Sequence, residues 1–397
     1  MKIMPFKGIL YDTKKVKISD VVTLPYDKIS AGQKDIYEKK SPYSMVHLIL
    51  PKSDEKAGSL LGEWIQSGIL KQDEKEAIYV YEQEYKYRGG SKKTRRGFIA
   101  LLEVKPFGKD TIMPHEKTFS KVVEGRMNLL HACQANIEQI FVLYTGKNIN
   151  KLLNGKPQIN FKDEFGITHR LWPIMDVKNI KNIQNAINKS CLFIADGHHR
   201  YTASLQHKEK MHGDNFIMAT FVNAKDSGLT ILPTHRVLKE VPKLDEKKFI
   251  AELEKYFKIK KGFVKNAKGK HVFKIYIGRD KKYTIILKDN VSLGSVLGIK
   301  RPHAWLYLDV NILHLLILKH VMGMDTTVME DEGNIVYVRE EEEAIEMVDN
   351  KKARIAFILN PTKIEEVKEI VELNDVMPHK STDFYPKMHS GLVIRKF

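Results

Sequence analysis

Asp196-Gly197-His198-His199-Arg200 places a carboxylate, a glycine and three potentially cationic groups side by side. The apolar run Cys191, Leu192, Phe193, Ile194 and Ala195 precedes them and a helical pattern follows, so they fall where a strand hands over to a helix. A helix N-terminus has unpaired backbone N–H groups and a partial positive charge, which suits an anion. Gly197 permits a tight turn and close approach of a ligand to the backbone. The histidines and Arg200 add donors matched to phosphate oxygens. Asp196 is either the helix cap or a carboxylate that helps hold a metal accompanying the phosphate, in the way Mg²⁺ does. Zinc is disfavoured here, because adjacent helical histidines point about 100° apart and chelate one ion poorly. The competing reading, a plain surface helix start, leaves the excess of cations in the first turn unexplained.

A second cluster is MPHEKTF, residues 113 to 119. Glu116 stands among His115, Lys117 and Thr118, a carboxylate flanked by donors, and such a group can act as general base toward a substrate hydroxyl. On the residues alone, a solvated loop carboxylate competes with that role. LPTHR, with His235 and Arg236, and KSTDFYPK, with Lys380, Ser381, Thr382 and Lys387, offer further donors suited to phosphate or carboxylate.

The elements that must position these groups are mixed α and β. Ser53 is expected to cap a helix with Leu60, Leu61, Trp64 and Ile65 on its face, ended by Gly68. Residues 78–104 read as a long hairpin with GGSKK at its tip and Tyr79, Tyr81, Tyr85 and Tyr87 on one face, covering a core. A loop holding PHEKT, a helix from about Glu124 to Ala135 and a strand from Gln139 to Tyr144 follow. Then come irregular chain, a strand over 191–195 and its helix. Further on are a hairpin from Val272 to Leu287 with GRDKK as its turn and an amphipathic helix after Asp309 bearing Leu313, Leu316, Ile317 and Val321. A helix, a strand over Arg354–Leu359 and a helix with a capping box of Thr362 and Glu365 close the pattern.

With 397 residues the chain can hold two or three domains, and 43% hydrophobic with 29% charged content is ordinary for a soluble globular protein. MKIMPFKGIL lacks a long apolar stretch, so no secretory signal is expected, and the longest aliphatic run, Leu315–Leu318, is too short to cross a bilayer. Two cysteines, Cys133 and Cys191, exclude a disulfide scaffold, and a cytoplasmic protein is expected. The net charge of +17 favours anionic partners, although the lysines are dispersed and form no basic tail.

MPFKG, LPYDKIS, PHEKT, the run from Arg126 to Asn136, FIADGHHRYTA, LPTHR and KSTDFYPKMHSGLVIR occur in that order. Together they resemble the domain-of-unknown-function 1015 family over nearly the whole chain. More distantly, that family resembles the ParB/sulfiredoxin-like fold, which includes nucleotide-dependent free-serine kinases and holds phosphates at a G-x-x-R helix start, here Gly197 and Arg200. His198 stands where sulfiredoxins carry their reactive cysteine, and Cys191 is expected inside a strand, so thiol chemistry is not implied. The resemblance implies an α/β protein with a ParB/sulfiredoxin-like core at residues 91–228, flanked by α/β regions at 1–90 and 229–397. It implies ATP or ADP with Mg²⁺ as cofactors, and transfer of a phosphoryl group to a small metabolite, foremost free L-serine. Catalytic roles fall to Glu116, Asp196 and His198, with Asp196 at the metal. Phosphate binding falls to Gly197, His198, His199, Arg200 and Thr202, and substrate or phosphate contacts to His115, Lys117, Thr118, Arg126, His235, Arg236, Lys380 and Ser381. The rival readings are a nucleotide-gated DNA-binding protein using the RGGSKKTRRG hairpin tip, and a nucleotide hydrolase or sensor.

Dispersed lysines meet phosphates but read no base edges. Duplex DNA is therefore expected to bind weakly and without sequence preference in a salt-dependent gel shift. A tight, sequence-selective complex that survives about 200 mM salt would favour the DNA-binding reading instead.

Overall fold

The computed structural model describes residues 1–242, 244–265, 267, 270–279 and 281–397. Mixed α/β structure runs throughout, as the sequence pattern predicts. Two compact units divide the chain, residues 1–230 with 384–397 and residues 231–383, where the sequence reading sets borders after residues 90 and 228.

The first unit is built on nine strands: β1 (Ile3–Met4), β2 (Ile78–Tyr85), β3 (Lys93–Glu103), β4 (Ile112–Met113), β5 (Ile140–Tyr144), β6 (Ile159–Lys162), β7 (Thr168–Ile174), β8 (Leu192–Asp196) and β9 (Phe216–Asn223). They run β4-β8-β5-β9-β3-β2-β7-β6, with β1 also on β3. Pairing is antiparallel except for β8 with β4 and β9 with β5. Every residue of β5 is buried, and β2 and β9 nearly so. A sheet covered on both faces reads as continuous apolar sequence rather than as alternation. In the β2–β3 hairpin Tyr79, Tyr81 and Tyr85 are buried, the core role their spacing predicts.

Helices α1 (Asp54–Gln66), α2 (Ser120–Cys133), α3 (Val177–Asn188) and α4 (His198–Met211) pack on this unit. Ser53 caps α1 by accepting the Lys56 N–H at 3.3 Å, as expected. Gly58 lets α1 meet α2 closely, since a Cβ there would lie 2.4 Å from the Ala132 carbonyl oxygen. Residues 145–190, read from sequence as irregular, hold β6, β7 and α3. The α3 signal was Ile180, Ile183 and Ile187 on one face behind the Asp176 cap, hidden among lysines and asparagines. Cys191, expected within a strand, lies just before β8 and is exposed.

The second unit has an antiparallel sheet of β10 (His235–Leu238), β11 (Phe257–Lys261), β12 (Val272–Tyr276), β13 (Lys282–Leu287), β14 (Ile335–Val338) and β15 (Ile355–Ile358). Its order is β11-β13-β12-β15-β10-β14. The expected hairpin is β12–β13; Asp280 of its GRDKK turn lies outside the described residues. Leu313, Leu316 and Ile317 are buried as expected, but on a π-helix over Ile312–Val321. The capping box expected from Thr362 and Glu365 is shifted by one residue. Glu366 accepts the Lys363 N–H at 2.7 Å, while the Thr362 hydroxyl donates to the Ser381 carbonyl at 2.7 Å. Among the described residues no helix is long and apolar enough to cross a membrane.

Gly97 on β3 faces the Phe221 carbonyl oxygen, which a Cβ would approach to 2.4 Å. Because that neighbour is backbone and cannot swing aside, Gly97→Ala is expected to cost about 1–3 kcal/mol. Urea unfolding checks this, and an unchanged midpoint would show the sheet giving way freely.

Candidate functional site

The register between β8 and β5 shifts between Ile194 and Asp196, a bulge that re-aims the end of β8. Asp196 follows it, and Gly197 then turns the chain into α4 with φ +98. A side chain at 197 would be strained by that angle, and its Cβ would lie 2.8 Å from Ile140 Cγ2. Gly197, the N-cap residue of α4, a helix of 14 residues, has no side chain to cap it, and a helix N-terminus carries a partial positive charge.

The PHEKTF loop is stitched to this helix start. The His115 backbone N–H donates to His198 Nε2 at 3.2 Å, and the Phe119 N–H to His199 Nε2 at 3.1 Å. Phe119 also stacks on the His199 ring, with centroids 5.9 Å apart. His115 Nδ1 donates to the Ile194 carbonyl at 2.7 Å, which fixes its tautomer. Burial, with His115 adding to it, holds His198 well below the usual histidine range, and burial lowers His115 likewise. Both rings are therefore neutral near pH 7. With Nε2 accepting, His198 carries its proton on Nδ1, the atom 3.8 Å from Glu116 Oε2. Glu116 Oε1 lies 4.0 Å from His115 Nε2. The loop carboxylate and the helix start thus meet, while Lys117 is exposed and Thr118 half-buried.

Asp196 is held by two cations, Lys387 Nζ at 3.1 Å from Oδ2 and Arg200 Nη2 at 3.5 Å from Oδ1. Burial would raise its pKa, but Lys387, Arg200 and Lys28 keep it well below the usual carboxylate range. Arg200 also donates from Nη1 to the Gln139 carbonyl at 2.5 Å. Burial lowers the Arg200 pKa less than Glu138, Asp196, Asp27 and Tyr26 raise it, so it stays charged. Its Nε and the Thr202 hydroxyl are buried without hydrogen-bond partners among the described residues. Arg126 lies over the Tyr26 ring at 4.2 Å and donates to the Ile49 carbonyl at 2.9 Å. Arg126, Glu138, Arg200 and Ser204 help line a cavity of about 40 Å³, room for a few waters but not for a nucleotide. Glu138 in turn accepts from the Tyr26 N–H at 3.2 Å and the Ser390 hydroxyl at 2.8 Å.

Of the residues singled out from sequence, His115 to Thr118, Arg126 and Asp196 to Thr202 lie in the first unit, and His235, Arg236, Lys380 and Ser381 in the second. There Arg236 is buried and donates to the Thr234 carbonyl and, at 2.9 Å, to the Lys380 carbonyl. His235 Nδ1 accepts the Leu359 N–H at 3.2 Å, and the Ser381 hydroxyl donates to the Pro378 carbonyl at 2.6 Å. Lys387, offered from sequence as a donor, lies in the first unit beside Asp196, and Lys28 and Glu138, not singled out, complete its constellation; the signal was their place in or beside the LPYDKIS and Arg126–Asn136 motifs. Of the hairpin arginines offered as a DNA contact, Arg88 is exposed and the other two are engaged within the protein. Arg95 is 1% exposed, and Arg96 pairs with Glu82 at 2.6 Å.

The profile of the family described as "Protein of unknown function (DUF1015)" matches residues 3–311, and the chain belongs to that family. No curated protein matches. Among solved structures it is similar to a free serine kinase in complex with AMP, with 16% identity, a TM-score of 0.38, and 76% of this chain and 91% of that one covered. A conserved hypothetical protein from Pyrococcus furiosus has 16% identity, a TM-score of 0.36 and coverage of 73% and 92%. SbnI with C-terminal truncation, from Staphylococcus aureus, has 12% identity, a TM-score of 0.36 and coverage of 73% and 84%.

The Lys387–Asp196 pair makes a stability prediction. Lys387→Met removes a charge-assisted bond to a carboxylate, expected to cost about 1.5–3 kcal/mol. In a double-mutant cycle with Asp196→Asn the two losses should fall short of additive by about 1 kcal/mol or more. Strict additivity in urea unfolding would mean that the pair does not interact in solution.

Proposed function

We propose that this DUF1015 protein is a nucleotide-dependent phosphotransferase. It moves a phosphoryl group from ATP or ADP to the hydroxyl of a small metabolite, with free L-serine as acceptor and O-phosphoserine as product. One observation carries the reading: the Glu116 carboxylate stands 3.8 Å from His198 at the start of α4, where the N-cap residue is Gly197 and makes no side-chain cap. A base and an anion site side by side are what transfer to a hydroxyl requires. The choice of serine is supported by the motif resemblance.

In this reading the α4 N-terminus and Gly197 hold the phosphates, and Arg200 and Lys387 supply positive charge beside them. The acceptor oxygen attacks phosphorus as the bond to the departing nucleotide breaks, and its proton passes to Glu116. His115 and His198, neutral and with fixed tautomers, position the loop that carries Glu116 and add no charge that would quench the base. Asp196 anchors the two cations. As its side chains stand it does not suit Mg²⁺, because an ion there would have to displace Lys387, and no step is assigned to magnesium.

The test is purified protein with nucleotide and pooled hydroxyl metabolites, followed by mass spectrometry for phosphorylated product. Glu116→Gln keeps shape but removes the proton acceptor, so phosphoserine formation is expected to fall about 10²–10⁴-fold with nucleotide affinity little changed. Arg200→Ala is expected to weaken the nucleotide-dependent rise in melting temperature. Full turnover in Glu116→Gln would move the base elsewhere, and loss of nucleotide binding would make Glu116 a structural residue. Nucleotide consumption without any phosphorylated product would favour the hydrolase reading.

A further inference from the structure

A second constellation of chemical groups lies in the first unit, apart from the DGHHR turn. Asp163, His169 and His389 are all buried, and one ligand atom from each lies within 4.8 Å of the others. Asp163 Oδ2 is 3.0 Å from His169 Nε2 and 3.5 Å from His389 Nε2. Asp163 sits in the turn between β6 and β7. Its Oδ1 is committed to the N–H groups of Phe165 at 2.9 Å and Ile167 at 2.8 Å, which leaves Oδ2 to the two rings. His169 is on β7, flanked by the Phe161 ring with centroids 4.9 Å apart, and its Nδ1 lies 2.7 Å from the Tyr81 hydroxyl. His389 comes from the C-terminal segment, where Gln139 holds its carbonyl at 2.8 Å.

We propose that Asp163, His169 and His389 bind one divalent cation, Zn²⁺ by its chemistry, which clamps the C-terminal segment to the β6–β7 edge of the sheet. Bonds of about 2.0–2.1 Å at tetrahedral angles separate ligand atoms by about 3.3 Å; two of the three separations, 3.0 and 3.5 Å, bracket that value, and all three lie within 4.8 Å. A hydrogen-bond network alone accounts poorly for the same atoms. Both Nε2 atoms face one carboxylate oxygen, so both would have to carry protons. That leaves His389 Nδ1 a bare acceptor, and it is buried with no hydrogen-bond partner among the described residues. A cation at the centre takes both Nε2 lone pairs and Oδ2, and moves the ring protons to Nδ1. The His169 proton then points at the Tyr81 oxygen, the kind of outer partner that orients a ligating imidazole. Both rings are buried, and ligation takes the neutral imidazole. Two imidazoles and a carboxylate suit zinc, whereas Mg²⁺ and Ca²⁺ take oxygen ligands. The fourth tetrahedral position falls to a water. His389 is two residues from Lys387, so the clamp fixes the segment that brings Lys387 to Asp196.

The test uses the full chain. Metal analysis of purified protein should find about one equivalent of zinc. After chelator treatment, Zn²⁺ should raise the melting temperature with concentration while Mg²⁺ does not. That rise should survive Cys191→Ser and His131→Gln and vanish in His389→Gln. Co²⁺ in the stripped wild-type protein should give visible tetrahedral d–d absorption without a thiolate charge-transfer band, and Zn²⁺ should abolish it. The cobalt titration decides the matter if His389→Gln does not fold. A zinc-dependent shift that persists in folded His389→Gln overturns the proposal, as does a stripped wild-type protein that responds to neither ion.

Discussion

A buried guanidinium whose hydrogen bonds go to carbonyls and amides governs much of the first unit. Arg95 on β3 is 1% exposed, and its Nη2 donates to the Gln83 Oε1 and to the Pro386 carbonyl. Nη1 reaches the Tyr385 carbonyl at 3.3 Å, and the group lies 5.1 Å from the centre of the Phe141 ring. Burial lowers its pKa only to about 10, so the charge persists at neutral pH. A buried charge is tolerated when most of its donors are met, and of the Arg95 nitrogens Nε lacks a partner among the described residues. The C-terminal segment therefore has to return to β3 and present its carbonyls there. Once residues 385 and 386 are held, Lys387 falls beside Asp196, Gln139 takes the His389 carbonyl, and Ser390 reaches Glu138.

That order explains why the DGHHR turn can afford so many basic residues. His198 and His199 face the backbone of the neighbouring loop and accept its N–H groups, so neither adds a charge that would oppose the helix field. Their part is to hold the PHEKTF loop against α4. The positive charge comes instead from Arg200 and from Lys387, which lies far along the chain. Asp196, between them, keeps both cations beside the helix start rather than at each other's expense. One carboxylate next to two cations is also why it stays ionised despite burial.

How far the site was legible from sequence follows the same division. Strand, glycine turn and helix at 192–211 could be read because each obeys a local rule: an apolar run, a residue needed at positive φ, then a helical period. The meeting of Glu116 with the turn rested on motif resemblance, since no local pattern encodes a loop lying 3.8 Å from a histidine some eighty residues on. Side-chain type suggests phosphate donors at His198 and His199, whereas Nε2 of each accepts a backbone N–H of the PHEKTF loop. His389 was harder still, and Lys387 could be picked out as a donor but not given its partner Asp196, because only the tertiary demand of Arg95 brings that segment to the sheet. In the second unit His235 accepts the Leu359 N–H and Arg236 donates to the Thr234 and Lys380 carbonyls, while Arg236 Nε is buried without a hydrogen-bond partner among the described residues.

The chain order poses one last constraint. Residues 231–383 separate two parts of the first unit that must pair, since Arg95 and Asp196 precede the excursion and Lys387 follows it. Closing a flexible loop of about 150 residues costs roughly 4 kcal/mol in entropy, comparable to what a few buried hydrogen bonds return. The excursion is not a flexible loop. It has its own six-stranded sheet and core, and its two ends are joined, the Leu232 N–H donating to the Asp383 carbonyl at 2.9 Å. Once that unit has folded, the residues on either side of it are already neighbours, and the chain re-enters at Phe384 next to where it left at Thr230. The closure entropy is then offset by the second unit's own core. The segment carrying Lys387 and His389 arrives almost as if it followed residue 230 directly. On this account the stability of the second unit, which contains none of the residues around Glu116 and Asp196, sets how readily that site is completed.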